Sequence, residues 1–182
     1  MPLEPGAPLS RIVSVDALPS EDHTIVVEAS ADERAAVAKL DNLVEIGSLV
    51  GRFRLRPERQ GGVHVVGSVY ASVTQTCVLT LDPFDSQIEE PVDVLFLPPK
   101  AFETWLAAHK KRTEEVDTDE EEDDPPEQLL DGRIDLGALT AEFLTLSLDP
   151  YPRKPGAAFV EPAPAEKEPS PFAALAELKQ KL

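Results

Sequence analysis

The chain has 182 residues, with 34 acidic against 17 basic side chains and a formal charge of −17, a field that repels phosphate backbones and anionic lipid heads at a distance. Broad, charge-driven association with DNA or a membrane surface is thereby excluded, and any nucleic-acid contact has to be local. The length suits one sizeable core, while 18 prolines and 5% aromatics leave room for irregular stretches around it.

In chain order, the β-branched runs at 10–18 and 23–29 are separated by Pro19-Ser20-Glu21-Asp22, which predicts an opening hairpin. Ser30 followed by Glu33 fits a capping box, so a helix is expected to about Asn42, with Ala36, Val37 and Leu40 on its apolar side. From Val44 the period returns to two. Leu49, Phe53 and Leu55 then share one face, and Arg52, Arg54 and Arg56 the other. Gln60-Gly61-Gly62 supplies the turn into a long partner strand reading Val63, Val65, Val69, Ala71, Val73, Cys77, Leu79, Leu81, with a bend at Gly67. A turn at 82–86 leads to a third strand, with Ile88, Val92, Val94 and Phe96 in alternation, and Pro91 marks it as an edge. After Pro98-Pro99, the spacing of Phe102, Trp105, Leu106 and His109 predicts an amphipathic helix ending in Lys110, Lys111 and Arg112.

Residues 114–127, EEVDTDEEEDDPPE, hold ten acidic side chains and no basic one, so self-repulsion keeps such a segment solvated. Asp135 suits the cap of a further helix carrying Leu136, Leu139, Phe143 and Leu146 until Pro150. Seven prolines lie from Pro150 onward, a composition that resists regular structure, and Ser170-Pro171 opens a short terminal helix. Its stripe of Phe172, Leu175 and Leu178 is read as docking either on the chain's own domain or in a partner's groove. The expected organisation is an α+β fold with a largely antiparallel sheet. Residues 1–113 form its first part, 114–130 an acidic linker, 131–150 a helix packing back, and 151–182 the tail.

Catalytic and metal patterns fare poorly. The acidic run places Asp117, Asp119, Glu121 and Asp123 at alternate positions, but Glu122 stands where a calcium loop needs glycine and Gln128 where it needs a bidentate glutamate. His23, His64 and His109 have no metal-ligand spacing. Cys77, the single cysteine, precludes an internal disulfide and falls in phase with the apolar strand face as a small core thiol. Gly61-Gly62 is too short for a phosphate loop, and no nucleophile elbow is legible. A non-enzymatic protein without cofactor or metal is therefore expected. The opening MPLEPGAPLSRIV lacks the regions of a secretory signal, and no apolar run reaches membrane-spanning length. The expectation is a cytoplasmic monomer engaging neither membrane nor DNA. Arg52, Arg54 and Arg56, extended by Arg59, are the best candidate surface, able to grip phosphates or acidic side chains. The alternatives are an edge strand guarded by charge and a dock for the chain's own acidic run. No aromatic stands among the arginines on their own face, which gives base stacking there no support.

The stretch Thr76-Cys77-Val78-Leu79-Thr80-Leu81-Asp82-Pro83-Phe84, followed by an alternating strand ending in Phe96, resembles the signature of the YceD family. So does Ile134-Asp135-Leu136-Gly137-Ala138-Leu139 continuing through Glu142 and Leu148 into Asp149-Pro150-Tyr151-Pro152-Arg153. The acidic segment between these motifs and the closing Pro171-Phe172-Ala173-Ala174-Leu175 are similar too, so the resemblance spans most of 44–182. Many relatives carry Cys-x-x-Cys-Leu at the first motif, whereas this chain keeps Cys77 and has Thr80 at the second cysteine, which breaks that pair. Asp149 likewise stands where relatives often have proline. The resemblance implies a non-enzymatic ribosome biogenesis factor that supports accumulation of large-subunit ribosomal RNA. Its implied partners are that RNA, a ribosomal protein or another assembly factor. The other reading is an acidic adaptor that shields a basic ribosomal protein.

Overall fold

Alternation of apolar and polar residues over more than fifty positions builds three long antiparallel strands, β3 (Glu45–Pro57), β4 (Val63–Thr76) and β5 (Pro83–Leu97). The computed structural model describes residues 7–19, 21–115 and 124–159, without the side chains of 111–115. The fold is α+β. Before these strands come β1 (Ile12–Ser14), β2 (His23–Glu28) and helix α1 (Ala31–Leu40), and after them α2 (Pro99–Glu115), β6 (Glu127–Gln128), β7 (Arg133–Asp135) and α3 (Leu136–Ser147). The five-stranded sheet runs β2-β3-β4-β5-β6, and β1 and β7 form a separate pair.

The expected opening hairpin is not formed. β1 pairs antiparallel with β7, Ile12 opposite Asp135, and β2 instead pairs with β3, His23 opposite Leu55. A three-residue turn at Val15–Ala17 sends the chain away between them. The β3–β4 hairpin forms as expected, with Gln60 at φ 61° and Gly61 at φ 78° turning the chain. At Gly67 a Cβ would run into the carbonyl oxygen of Arg52 on the neighbouring strand; close backbone approach excludes a side chain there. β4 ends earlier than its apolar phase suggested. Leu81 adopts φ 61° and is 76% exposed, and the turn closes through Cys77 N–H to the Asp82 carbonyl at 2.9 Å and Leu81 N–H to the Cys77 carbonyl at 2.9 Å. Leu79 and Leu81 therefore belong to a loop.

One sheet face holds the core. Leu49, Phe53, Leu55, Val63, Val65, Val69 and Val73 are buried there, and α1 and α3 pack over it. Ser30 and Glu33 form the capping box. α1 buries Val37 and Ala38, however, and leaves Ala36 and Leu40 outside. Arg34 accounts for this rotation: it lies on the inner side, donating to the carbonyls of Ile46 at 3.0 Å and Ala29 at 2.8 Å. Asp135 joins two pieces of chain, accepting from the Gly137 and Ala138 N–H groups at the start of α3, the Arg11 N–H at 2.7 Å and the Ser10 hydroxyl at 2.6 Å. Arg11 in turn pairs with Glu33 at 2.7 Å, and this guanidinium, with the Ser30 N–H, holds the Glu33 carboxyl down at about 2.

Residues expected in an acidic linker enter regular structure at both of its ends. Glu114 and Glu115 finish α2, while Glu127 and Gln128 lie parallel to Phe96 and Leu97 of β5, with Leu129 buried behind them. No helix among the described residues is long and apolar enough to cross a membrane.

Candidate nucleic-acid interface

Because strand side chains alternate, burying Phe53 and Leu55 forces Arg52, Arg54 and Arg56 onto the opposite face, where all three are exposed. β3 is flanked by β2 and β4, so these arginines do not guard an edge, and the edge-protection alternative fails. Cross-strand register shows what surrounds them. Arg52 lies between Val26 and Ser68, Arg54 between Thr24 and Val66, and Arg56 beside His64. The guanidinium of Arg52 sits 5.6 Å from the centre of the Tyr70 ring, a cation–π distance. Arg56 approaches Asp22 at 3.5 Å with both side chains about half exposed, a pairing worth little in water. Arg59 falls in the turn after β3 and shares a shallow depression of about 400 Å³ with His64, Leu95 and Leu97, at the end of the arginine row.

Tyr70 is the residue that reading along the chain missed. On β3 itself the one aromatic, Phe53, is buried on the other face, but a hairpin centred on Gln60 sets Ser68 opposite Arg52 and Tyr70 opposite Val50. Tyr70 therefore stands on the arginine face, diagonally from Arg52. The far side of that face has the opposite sign, with Asp85, Glu89 and Asp93 of β5 opposite Thr74, Tyr70 and Val66 of β4. His64 Nε2 lies 2.6 Å from Asp93 Oδ1. This face divides into a cationic half with an aromatic ring and an anionic half.

A second feature lies at the far end of β4. Cys77 is fully buried, as a core thiol was expected to be, but its partners are polar. A hydrogen bond with the Thr80 side chain, followed by backbone groups of Lys154, Thr80 and Leu79, lowers the thiol to about 7. Thr80, at the position of the second cysteine in many relatives, is thus bonded to the first. The start of the tail is fixed here. The Val78 N–H donates to the Pro152 carbonyl at 2.9 Å, and Lys154 lies 3.5 Å from Asp82. Since a thiol lowered in the folded state stabilises the fold at high pH and loses that contribution as pH falls through about 7, the single cysteine offers a clean readout. Ultraviolet thiolate absorbance is expected to rise with a midpoint near that value, and Thr80→Val to move the midpoint upward; an unchanged midpoint would remove Thr80 as the cause.

α2 stacks Phe102 on Trp105 at 6.4 Å and Trp105 on His109 at 4.7 Å, whereas Leu106, expected on that face, is 50% exposed. The acidic positions at 116–123 and the terminal stripe of Phe172, Leu175 and Leu178 lie outside the described residues.

No curated protein and no solved structure matches the chain. The family described as "Large ribosomal RNA subunit accumulation protein YceD" matches residues 65–179, which takes in both motifs, Cys77 with its turn and Asp135 with α3. More than half of the sequence is covered, and the chain belongs to the YceD family.

Proposed function

We propose that the chain is a non-enzymatic factor that supports large-subunit ribosomal RNA accumulation by holding single-stranded RNA on the open face of its sheet. The observation that carries this reading is the row Arg52, Arg54, Arg56 with Tyr70 alongside. Residues two apart on a strand stand about 6.8 Å from each other, close to the spacing of successive phosphates along an extended strand. An aromatic ring beside such a row offers a base a stacking surface. The carboxylates of β5 lie two strands away, roughly 10 Å across the face, and set its width. A duplex resting one backbone on the arginines would bring the other over Asp85, Glu89 and Asp93.

The family description names the accumulation of large-subunit ribosomal RNA, and an RNA-holding surface accounts for that outcome without catalysis. The test compares a short unstructured RNA with a duplex of equal length by fluorescence anisotropy. Single-stranded RNA is expected to bind more tightly by roughly tenfold, and Tyr70→Leu to remove about that much, the usual contribution of one base stacked on an aromatic ring. Equal affinity for the duplex, or an unaltered affinity in the tyrosine variant, would overturn the assignment.

A further inference from the structure

The sheet's other face is not closed at every point. Where β5 ends, only the two residues of β6 pair beside it, and the space between Asp93–Phe96, β6 and α3 is a groove of about 840 Å³. Its floor is apolar, made by Val94, Phe96, Leu139, Phe143 and Leu146. Leu146 is 71% exposed although it lies in line with buried positions of α3. The rim carries Asp124, Glu127 and Glu142 against one base, Arg133. Asp124 and Glu127 are the end of the run that holds ten carboxylates between 114 and 127.

We propose that this groove receives a cationic peptide segment from another protein, seated by an apolar side chain over Leu146 and Phe143. The floor removes an apolar anchor from water. The acidic rim attracts Lys and Arg flanking that anchor, and it repels RNA and acidic segments. A second copy of this chain would bring −17 against −17, which disfavours it as the occupant. The groove lies across the sheet from the arginine row, so this inference stands whether or not that row binds RNA. It also gives the acidic-adaptor expectation a place in the fold.

The experiment uses the full-length chain and a fluorescein-labelled synthetic peptide of Lys and Arg residues flanking two leucines. Anisotropy is expected to show saturable binding at near-physiological salt. Serine in place of the two leucines, or Leu146→Asp in the protein, is expected to weaken it by roughly tenfold, as loss of one buried anchor does. Glu142→Lys is expected to weaken it by roughly threefold through the rim charge. Both protein positions are exposed, and unchanged melting temperatures would exclude loss of fold. Three results would overturn the proposal. One is wild-type affinity in both variants with binding lost only on neutralising residues 117–123, which assigns the peptide to the acidic run alone. Another is an affinity gain of roughly tenfold on replacing Phe172, Leu175 and Leu178 by serine, which makes the chain's own end the occupant. The third is self-association abolished by Leu146→Asp, which makes a second copy the occupant.

Discussion

Replacing Arg52, Arg54 and Arg56 together by glutamine is expected to weaken binding of single-stranded RNA by roughly a hundredfold at low salt, the scale of removing three charge-assisted hydrogen bonds. The more diagnostic change is in the salt dependence. Each phosphate that an arginine no longer neutralises on a single strand takes about 0.7 off the slope of log affinity against log salt, so the triple variant should be shallower by about 2. The fold should survive, because all three side chains are exposed and the ion pair of Arg56 with Asp22 is itself half exposed. A lysine triple separates charge from shape. Lysine keeps the counterion release but loses the planar guanidinium that lies over Tyr70, so the slope should persist while affinity falls. A glutamine triple with an unchanged slope would show that RNA, if bound, is bound elsewhere.

Asp135→Ala is expected to cost about 3 kcal/mol of stability: removing a helix cap costs about 1 kcal/mol, and removing two further, exposed hydrogen bonds about 1 kcal/mol each. For a chain of this size that corresponds to a fall in melting temperature of roughly 6–12 °C. Asp135→Asn retains an oxygen for the Gly137 and Ala138 N–H groups and should cost about a third as much. Equal losses in the two variants would mean that the carboxylate charge matters more than its hydrogen-bond geometry. Gly137 belongs to the same arrangement, since a Cβ there would come within 2.7 Å of the Ser10 and Arg11 backbone. The motif Ile134-Asp135-Leu136-Gly137 is thus architectural: it lets the amino-terminal segment cross the start of α3.

Local chemistry was legible in the sequence and distant pairing was not. The Ser30–Glu33 capping box, the Gln60-Gly61 turn and the Asp135 cap are each decided within a few residues, and each is present. β1 and β6 are strands of three and two residues, too short to show a period. Their partners lie far along the chain or run parallel, so no turn signal announces them. The apolar phase that carried β4 on to Leu81 failed because the chain turns after Thr76, in a loop closed by the Cys77 backbone with Leu81 at positive φ, and the α1 face rotated because Arg34 had carbonyls to reach. The candidate site was half legible. Alternation placed the arginines, but Tyr70 joins them only once the hairpin register is counted outward from Gln60. The groove beside α3 had no signal in the sequence, since it is made by what β6 leaves uncovered.

The pairing of Ile12 with Asp135 and of Ser14 with Arg133 bears on synthesis. The amino-terminal strand emerges from the ribosome first, and its partner is translated only some 120 residues later, about 6–24 s at ordinary elongation rates. Throughout that interval Leu9, buried in the finished core, has no α3 to pack against, and the Arg11 N–H has no Asp135 to accept its hydrogen bond. Contacts so distant in sequence close late. The final architecture is therefore reached late, when the carboxyl-terminal half of the family motif arrives to lock the first strand.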